Sequence, residues 1–295
     1  MRINPVYKKD SRIGNRSVRF VASIMGYNII LIFIGFVFLF SEQSKSVQEG
    51  ITDYSTMLEL YILFTSVQMA MMLFITPAMT GGTISGERER RTLDMLLATH
   101  MRPRQILLGK LYSSLDTTLI LAISTMPVLA LVFIYGGLRF SDLFVMQAVV
   151  VILMATLGAA GVFFSTVYRN STVATIASYI YIAFLAGGSF GIVFLFCTLG
   201  ETVGYPLASL TRFSIYLLLL NPVMTFYILM NHQVGDESAV WNLINRIGNG
   251  PYERDIVLDN WVAISLVLQI IMAVLFLHYA ARNLEPIKTK RRKLF

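Results

Sequence analysis

Glu87, Arg88, Glu89, Arg90 and Arg91 place five charged side chains in a row, and Asp94 follows. Strongly apolar sequence flanks them on both sides. Two acids interleaved with three arginines make a poor lipid-binding patch, because each acid weakens attraction to anionic headgroups. The same mixture suits a specific polar contact with another protein, where complementary charges fix register. Other chemistry is sparse. A phosphate-binding loop needs Gly-x-x-x-x-Gly-Lys-Ser/Thr. Gly109-Lys110 runs straight into Leu111, and Gly81-Gly82…Gly86 has no Lys-Ser/Thr behind it. No His-Glu-x-x-His occurs, and His100, His232, His278 and the single Cys197 lie far apart. The sequence therefore leads us to expect no catalytic residue, no metal site and no cofactor bound by this chain.

The elements that carry the charged run must be membrane helices. The 295 residues are 56% hydrophobic and 14% charged, and mean hydropathy is +0.66. An ordinary soluble domain carries roughly 25% charged residues. A soluble fold has no place to hide this much apolar surface, so lipid is the expected solvent. The net charge of +7 would hint at nucleic acid in a soluble protein. Here it is expected to serve the membrane surface instead, and no nucleic-acid partner is expected. The first apolar run, from about Val18 past Phe38, is too long for a signal-peptide core and reads as a retained anchor.

A spanning helix needs about 20 apolar residues. Six stretches qualify: 19–40, 57–80, 106–136, 143–168, 171–198 and 260–281. A seventh run, Tyr205–Met230, is interrupted by Arg212 and by Asn221-Pro222. The distribution of Lys and Arg decides the count. Six crossings put residues 1–19, 81–110, the Arg169 turn and the tail from Arg282 on one side, with nineteen of the 24 basic residues. Lys45, Arg139, Arg212, Arg246 and Arg254 fall on the other. A seventh crossing would put the Lys/Arg-rich tail on the wrong side. The expected organisation is a cytoplasmic segment 1–18, a six-span membrane domain 19–281 and a basic cytoplasmic tail 282–295. Within it, 81–105 is a cytoplasmic segment and 199–259 an extracellular one. Tyr205–Met230 is expected to form a re-entrant hairpin, tolerable only if its broken backbone is shielded by protein. Trp261 fits an interfacial aromatic anchor.

Within 81–105, Gly81-Gly82 should end span two and Ser85 should cap a new helix, with Glu87 and Glu89 in its first turn. Glu87 and Arg91 have the i,i+4 spacing of a side-chain pair. Leu93, Leu96 and Leu97 share one face of that helix, which should stop near Thr99-His100 before Pro103 opens the next. The docking surface is then Glu87, Arg88, Glu89, Arg90, Arg91, Thr92, Leu93, Asp94, Leu96 and Leu97. Polar groups at membrane depth are few: Glu59 and Gln68 in span two, Asp116 in span three and Gln269 in span six. An intramembrane acid is a functional candidate by default, and Asp116 leads. Gly158, Ala159, Ala160 and Gly161, and later Gly187, Gly188 and Gly191, allow close helix approach.

Ile84–Leu111 resembles the signature of bacterial ABC transporter permeases of the type 2 (ABC-2) class. Those read Ile-Ser-x-Glu-Arg-Glu-x-x-Thr-Leu-Asp-Leu-Leu-Leu-x-Thr-Pro, then a basic pair, then Gly-Lys entering span three. The departure is His100-Met101. The N-terminal Asn4-Pro5 with its basic residues and the Asn221-Pro222 segment are also similar to the family. The resemblance implies an all-α polytopic membrane protein. Six transmembrane helices carry a coupling helix between spans two and three and an outer hairpin between spans five and six. It implies a second permease subunit, membrane lipid as surroundings, and a cytoplasmic ABC ATPase that holds the ATP and magnesium. The expected function is the membrane-spanning subunit of an ATP-driven exporter. Two other readings use the same residues: a non-transporting anchor for a cytoplasmic partner, and an ion-coupled carrier using Asp116 and Glu59.

Overall fold

A computed structural model of the chain describes residues 7, 18–49, 55–98, 101, 103–130, 139–203, 214–235 and 256–284. Among these there is no strand. The helices are α1 (Val18–Glu49), α2 (Ser55–Thr80), α3 (Ser85–Glu89), α4 (Leu93–Leu97), α5 (Pro103–Ser124), α6 (Phe140–Val167), α7 (Ser171–Ala183), α8 (Ser189–Val203), α9 (Pro222–Val234), α10 (Ile256–Asp259) and α11 (Trp261–Leu284). One wide π turn, Phe184–Gly188, joins α7 to α8 as a continuous span. Among the described residues, six helical runs are long and apolar enough to cross a membrane, in the six places the sequence marks. Residues 131–136 of the expected third span, the start of the Tyr205 run, Thr99-His100, Asn4-Pro5 and the basic tail beyond Leu284 lie outside the described residues.

The bundle is built around α6. Of its apolar window 67% is buried within the protein, against 17% for α1, α7–α8 and α11. Helices α2, α5, α7, α9 and α11 all pack on it. Small residues explain why this helix is central. A Cβ on Gly158 would stand 2.8 Å from Leu115, and one on Gly161 would stand 2.0 Å from the Thr80 hydroxyl. Both glycines therefore let α2 and α5 approach α6 closely, a packing role inside the subunit. Gly187 and Gly191, by contrast, face open space.

The Asn221 break is a sharp one. The helical pieces on either side of it, Ser214–Leu220 and Pro222–Val234, meet at 88°. Proline at the first position of α9 and the Asn221 side chain, which accepts from Val223 and Met224 amides at 2.8 and 3.3 Å, start the second piece. Helix α9 stays in one half of the bundle. It begins beside Ser189 and the first turns of α11, and Gln233 near its end bonds Asp142 at the start of α6 and Tyr61 near the start of α2. The sharp bend and this placement suit the re-entrant hairpin expected over Tyr205–Met230, whose residues 205–213 lie outside the described residues. Trp261 departs from expectation: it is 1% exposed and packs beneath this element with Leu218, Met224 and Leu258. It is a core residue, because α9 covers the face that lipid would otherwise touch.

Candidate functional site

The charged segment lies at the opposite end, called here the loop end, with the last turns of α6 and α11 and the first turns of α5. Ile84, Leu93, Leu107, Leu111, Val162, Ala280, Ala281 and Leu284 form its apolar floor. The segment is two short helices, where the sequence leads us to expect one. Helix α3 ends because Thr92 N–H bonds the Glu87 carbonyl (2.9 Å) and Arg91 N–H bonds the Arg88 carbonyl (3.1 Å). That is a Schellman stop. Its left-handed position is usually glycine but is here Arg91, with φ 58°. No glycine marks the break, so periodicity alone runs through it.

The helix start also differs. Ser85 is the first residue of α3 and is fully buried, and no side chain of Ile84 caps the helix. The acceptor comes from α6: the Ser165 hydroxyl oxygen accepts from the Ile84 and Ser85 amides at 2.8 and 2.9 Å. Ser85 itself donates to the Gly81 carbonyl.

Three consecutive charged residues then reach three different spans. Glu87 accepts from Lys110 of α5 at 2.6 Å, with side chains 25% and 10% exposed, and also from the Thr92 hydroxyl. It does not take up the expected Arg91 pairing, because Arg91 has left the helical path. Arg88 donates to the Thr166 and Tyr168 carbonyls (3.3 and 3.4 Å), which are free acceptors at the end of α6. Glu89 accepts from the Ser171 amide (2.8 Å) and the Ser171 hydroxyl at the start of α7. These hydrogen bonds, the hydroxyl's first, hold the Glu89 carboxyl below the usual carboxylate range. Asn170 completes that turn by accepting from the Thr172 amide at 2.9 Å.

The remaining charges point outward. Arg90, Arg91, Thr92 and Asp94 are exposed, and Met95 is 75% exposed. Leu93 is buried in the floor, Leu96 is half-buried, and the side chain of Leu97 lies outside the described residues. The expected single docking face is therefore divided. Glu87, Arg88 and the exposed Glu89 bond the protein's own helices, and Arg90, Arg91, Thr92, Asp94 and Met95 are presented to solvent. Sequence reasoning passes over Lys110, Ser165, Ser171 and Met95. The signal for Lys110 is a cation between Gly109 and Leu111, past the first two turns of α5 and beyond Arg104 at its start.

The deeper polar residues separate by role. Gln68 is 1% exposed and donates to the Ala122 carbonyl (3.4 Å) and Gln147 (3.2 Å), tying α2 to α5 and α6. Gln269 donates to Thr225 (2.9 Å) and Ser265 (3.1 Å), tying α11 to α9. Glu59 is exposed near the far end of α2. Asp116 is half-buried in the wall of an apolar cleft of about 480 Å3 between α5 and α6, with Tyr7, Tyr112 and Met154. The structure does not bring Glu59, Gln68 and Asp116 together as one site.

One serine needs separate mention. Gly187-Gly188-Ser189-Phe190-Gly191 has the Gly-x-Ser-x-Gly lettering of a hydrolase elbow, which the expectation of no catalytic residue passes over. Ser189 opens α8 inside a span, donates to the Leu185 carbonyl and accepts from Asn221. It has no strand-turn-helix setting and serves packing.

A family model described as "ABC-2 family transporter protein" matches residues 5–283. No curated protein matches the chain.

Proposed function

From the premise that this chain belongs to the ABC-2 family of transporter proteins, and so is a multi-pass membrane component of an ABC transporter, we propose how it works. It is the permease subunit of an exporter, paired with a second permease subunit and driven by a separate cytoplasmic ATPase that binds ATP and magnesium. The loop end faces the cytoplasm. The ATPase docks on Arg90–Met95, and Glu87, Arg88 and Glu89 carry its displacement to α5, α6 and α7 together.

One observation carries this reading: three adjacent charges are anchored on three spans while the next residues are exposed. A rigid grip on several helices converts a push at one point into a movement of the bundle. Arg90 and Asp94 flanking the exposed Met95 offer an apolar anchor within a charged rim, the usual anatomy of a specific contact.

Mutagenesis with copurification tests the division. Arg90→Glu with Met95→Asp should abolish copurification of the ATPase and leave thermal stability unchanged. Glu87→Gln should preserve copurification but uncouple ATP hydrolysis from transport in proteoliposomes. If Glu87→Gln loses the ATPase as completely as Arg90→Glu with Met95→Asp, the proposed division of labour is wrong. If the outward-facing double substitution leaves both copurification and transport intact, the docking surface is wrong as well.

A further inference from the structure

An open cleft of about 760 Å3 lies between the α3–α4 corner, the end of α6 and the end of α11. Three guanidinium groups line it, Arg88, Arg91 and Arg169, with Asp94 the one acid among its lining residues. Val167 and Asn283, in the last turns of α6 and α11, form its inner edge. The sequence argues against an anion here, because Glu87 and Glu89 stand between the arginines. The fold removes that objection. Glu87 is paired to Lys110 and Glu89 is bonded to Ser171, and neither lines the cleft. What remains is net positive.

The arrangement is also preset. The two backbone carbonyls hold the Arg88 guanidinium in place and leave it further N–H donors. The backbone corner at Arg91 fixes where that side chain leaves the chain. The depth matches a lipid headgroup. The apolar part of α6 ends at Val167, and the exposed Tyr168 beside it is a residue type that collects at membrane interfaces. One turn inward from Val167, Phe163 meets Phe276 of α11 with ring centroids 5.4 Å apart, an apolar wall leading into the bilayer.

We propose that this cleft binds the phosphate headgroup of an anionic phospholipid, with an acyl chain running along the α6–α11 surface. Headgroup binding would fix the α3–α4 corner against the ends of α6 and α11. Membrane charge then sets how firmly the loop is held. The cleft shares Arg91 and Asp94 with the stretch proposed to dock the ATPase, so lipid retention is read on the chain alone, without the ATPase, and its outcome is separate from the docking result.

The test uses the full chain in phosphatidylcholine nanodiscs with increasing phosphatidylglycerol, reading retained lipid by native mass spectrometry. Phosphatidylglycerol should be retained roughly 25-fold over phosphatidylcholine, as two net positive charges imply. Each arginine near a membrane surface contributes roughly a fivefold preference. Arg91→Gln with Arg169→Gln should therefore lower the preference by about 25-fold. Asp94→Asn, which removes the one acid, should raise it several-fold. Arg169→Gln alone, in an exposed turn, supplies a roughly fivefold loss if the double variant does not fold. An unchanged preference in these variants overturns the proposal. So does complete displacement of the lipid by millimolar inorganic phosphate, which would mark a free-anion site. A wild-type chain indifferent to phosphatidylglycerol, whose Arg169→Gln variant instead loses a protein partner, would make the cleft a protein contact and equally refute it.

Discussion

The two ends of this bundle hold broken helices in place by different chemistry. At the loop end, α3 is secured by charged groups: Glu87 on Lys110, Arg88 on two carbonyls and Glu89 on Ser171. At the other end, α9 is secured by neutral amides and hydroxyls. Asn221 donates to the Ala186 carbonyl (3.0 Å) and to Ser189 (2.8 Å), and Thr225, Ser265 and Gln269 bond one another. Depth explains the difference. Ionised groups are tolerable where water reaches, whereas deep in a bilayer an unpaired charge costs several kcal/mol. The Ala186 carbonyl lies in the π turn, so this contact ties α9 to the junction of α7 and α8. The lesson is that a salt- and pH-responsive grip sits where a partner is proposed to push, and an insensitive one sits where the hairpin must stay seated.

The comparison can be broken most forcefully at Lys110. Lys110→Met removes the cation facing Glu87, whose carboxylate is mostly buried and keeps the Thr92 hydroxyl, and removing one member of such a pair costs up to about 3 kcal/mol. Chemical unfolding in mixed micelles should show that loss at the loop end. Adding Glu87→Leu should recover part of it, and no recovery would mean that the ion pair is not what Lys110 contributes. At the hairpin end, Asn221→Ala removes a cap and the amide that donates to Ala186 and the buried Ser189 hydroxyl, a loss of about 2 to 3 kcal/mol. That loss should be the same at low and high salt, whereas the Lys110 effect should shrink with salt; equal salt dependence would erase the distinction. Arg91→Gly should act in the opposite direction. It relieves a left-handed backbone that costs a non-glycine residue about 1 kcal/mol, so stability should rise by about that amount. A fall in stability would show that the Arg91 side chain contributes more than its backbone strain costs.

The finest test is acid. The Glu89 carboxyl is depressed by its Ser171 hydrogen bonds, so its contribution is fully present above the ordinary carboxylate range. It is lost as pH falls through the depressed folded value. Protection of the Thr172–Ala174 amides from hydrogen exchange, corrected for intrinsic rates, should therefore weaken on acidification in wild type. It should be low and flat with pH in Glu89→Gln. Val223 and Met224 amides, capped by neutral Asn221, should show no such pH response.

Much of this was legible in residues taken singly. The apolar runs marked the six candidate spans, because burial in lipid imposes length and composition directly. Pro103 opens α5 and Asn221-Pro222 opens α9, since capping is local chemistry. The division of the charged segment was not legible. The helix stop at Arg91 carries no glycine, and the acceptor for the start of α3 is Ser165, eighty residues away in sequence. Trp261 has the position of an interfacial anchor, and only the hairpin lying over it makes it core.

The sequence by itself determined what kind of molecule this is: a six-span helical membrane protein with one dense charged loop and the ABC-2 signature. Tertiary structure alone decided which of those charges bond the protein's own helices. Composition fixes the solvent a segment prefers, but a side chain's partner depends on which helices meet at its tip, and that is settled only when Lys110, Thr166 and Ser171 converge on Glu87, Arg88 and Glu89.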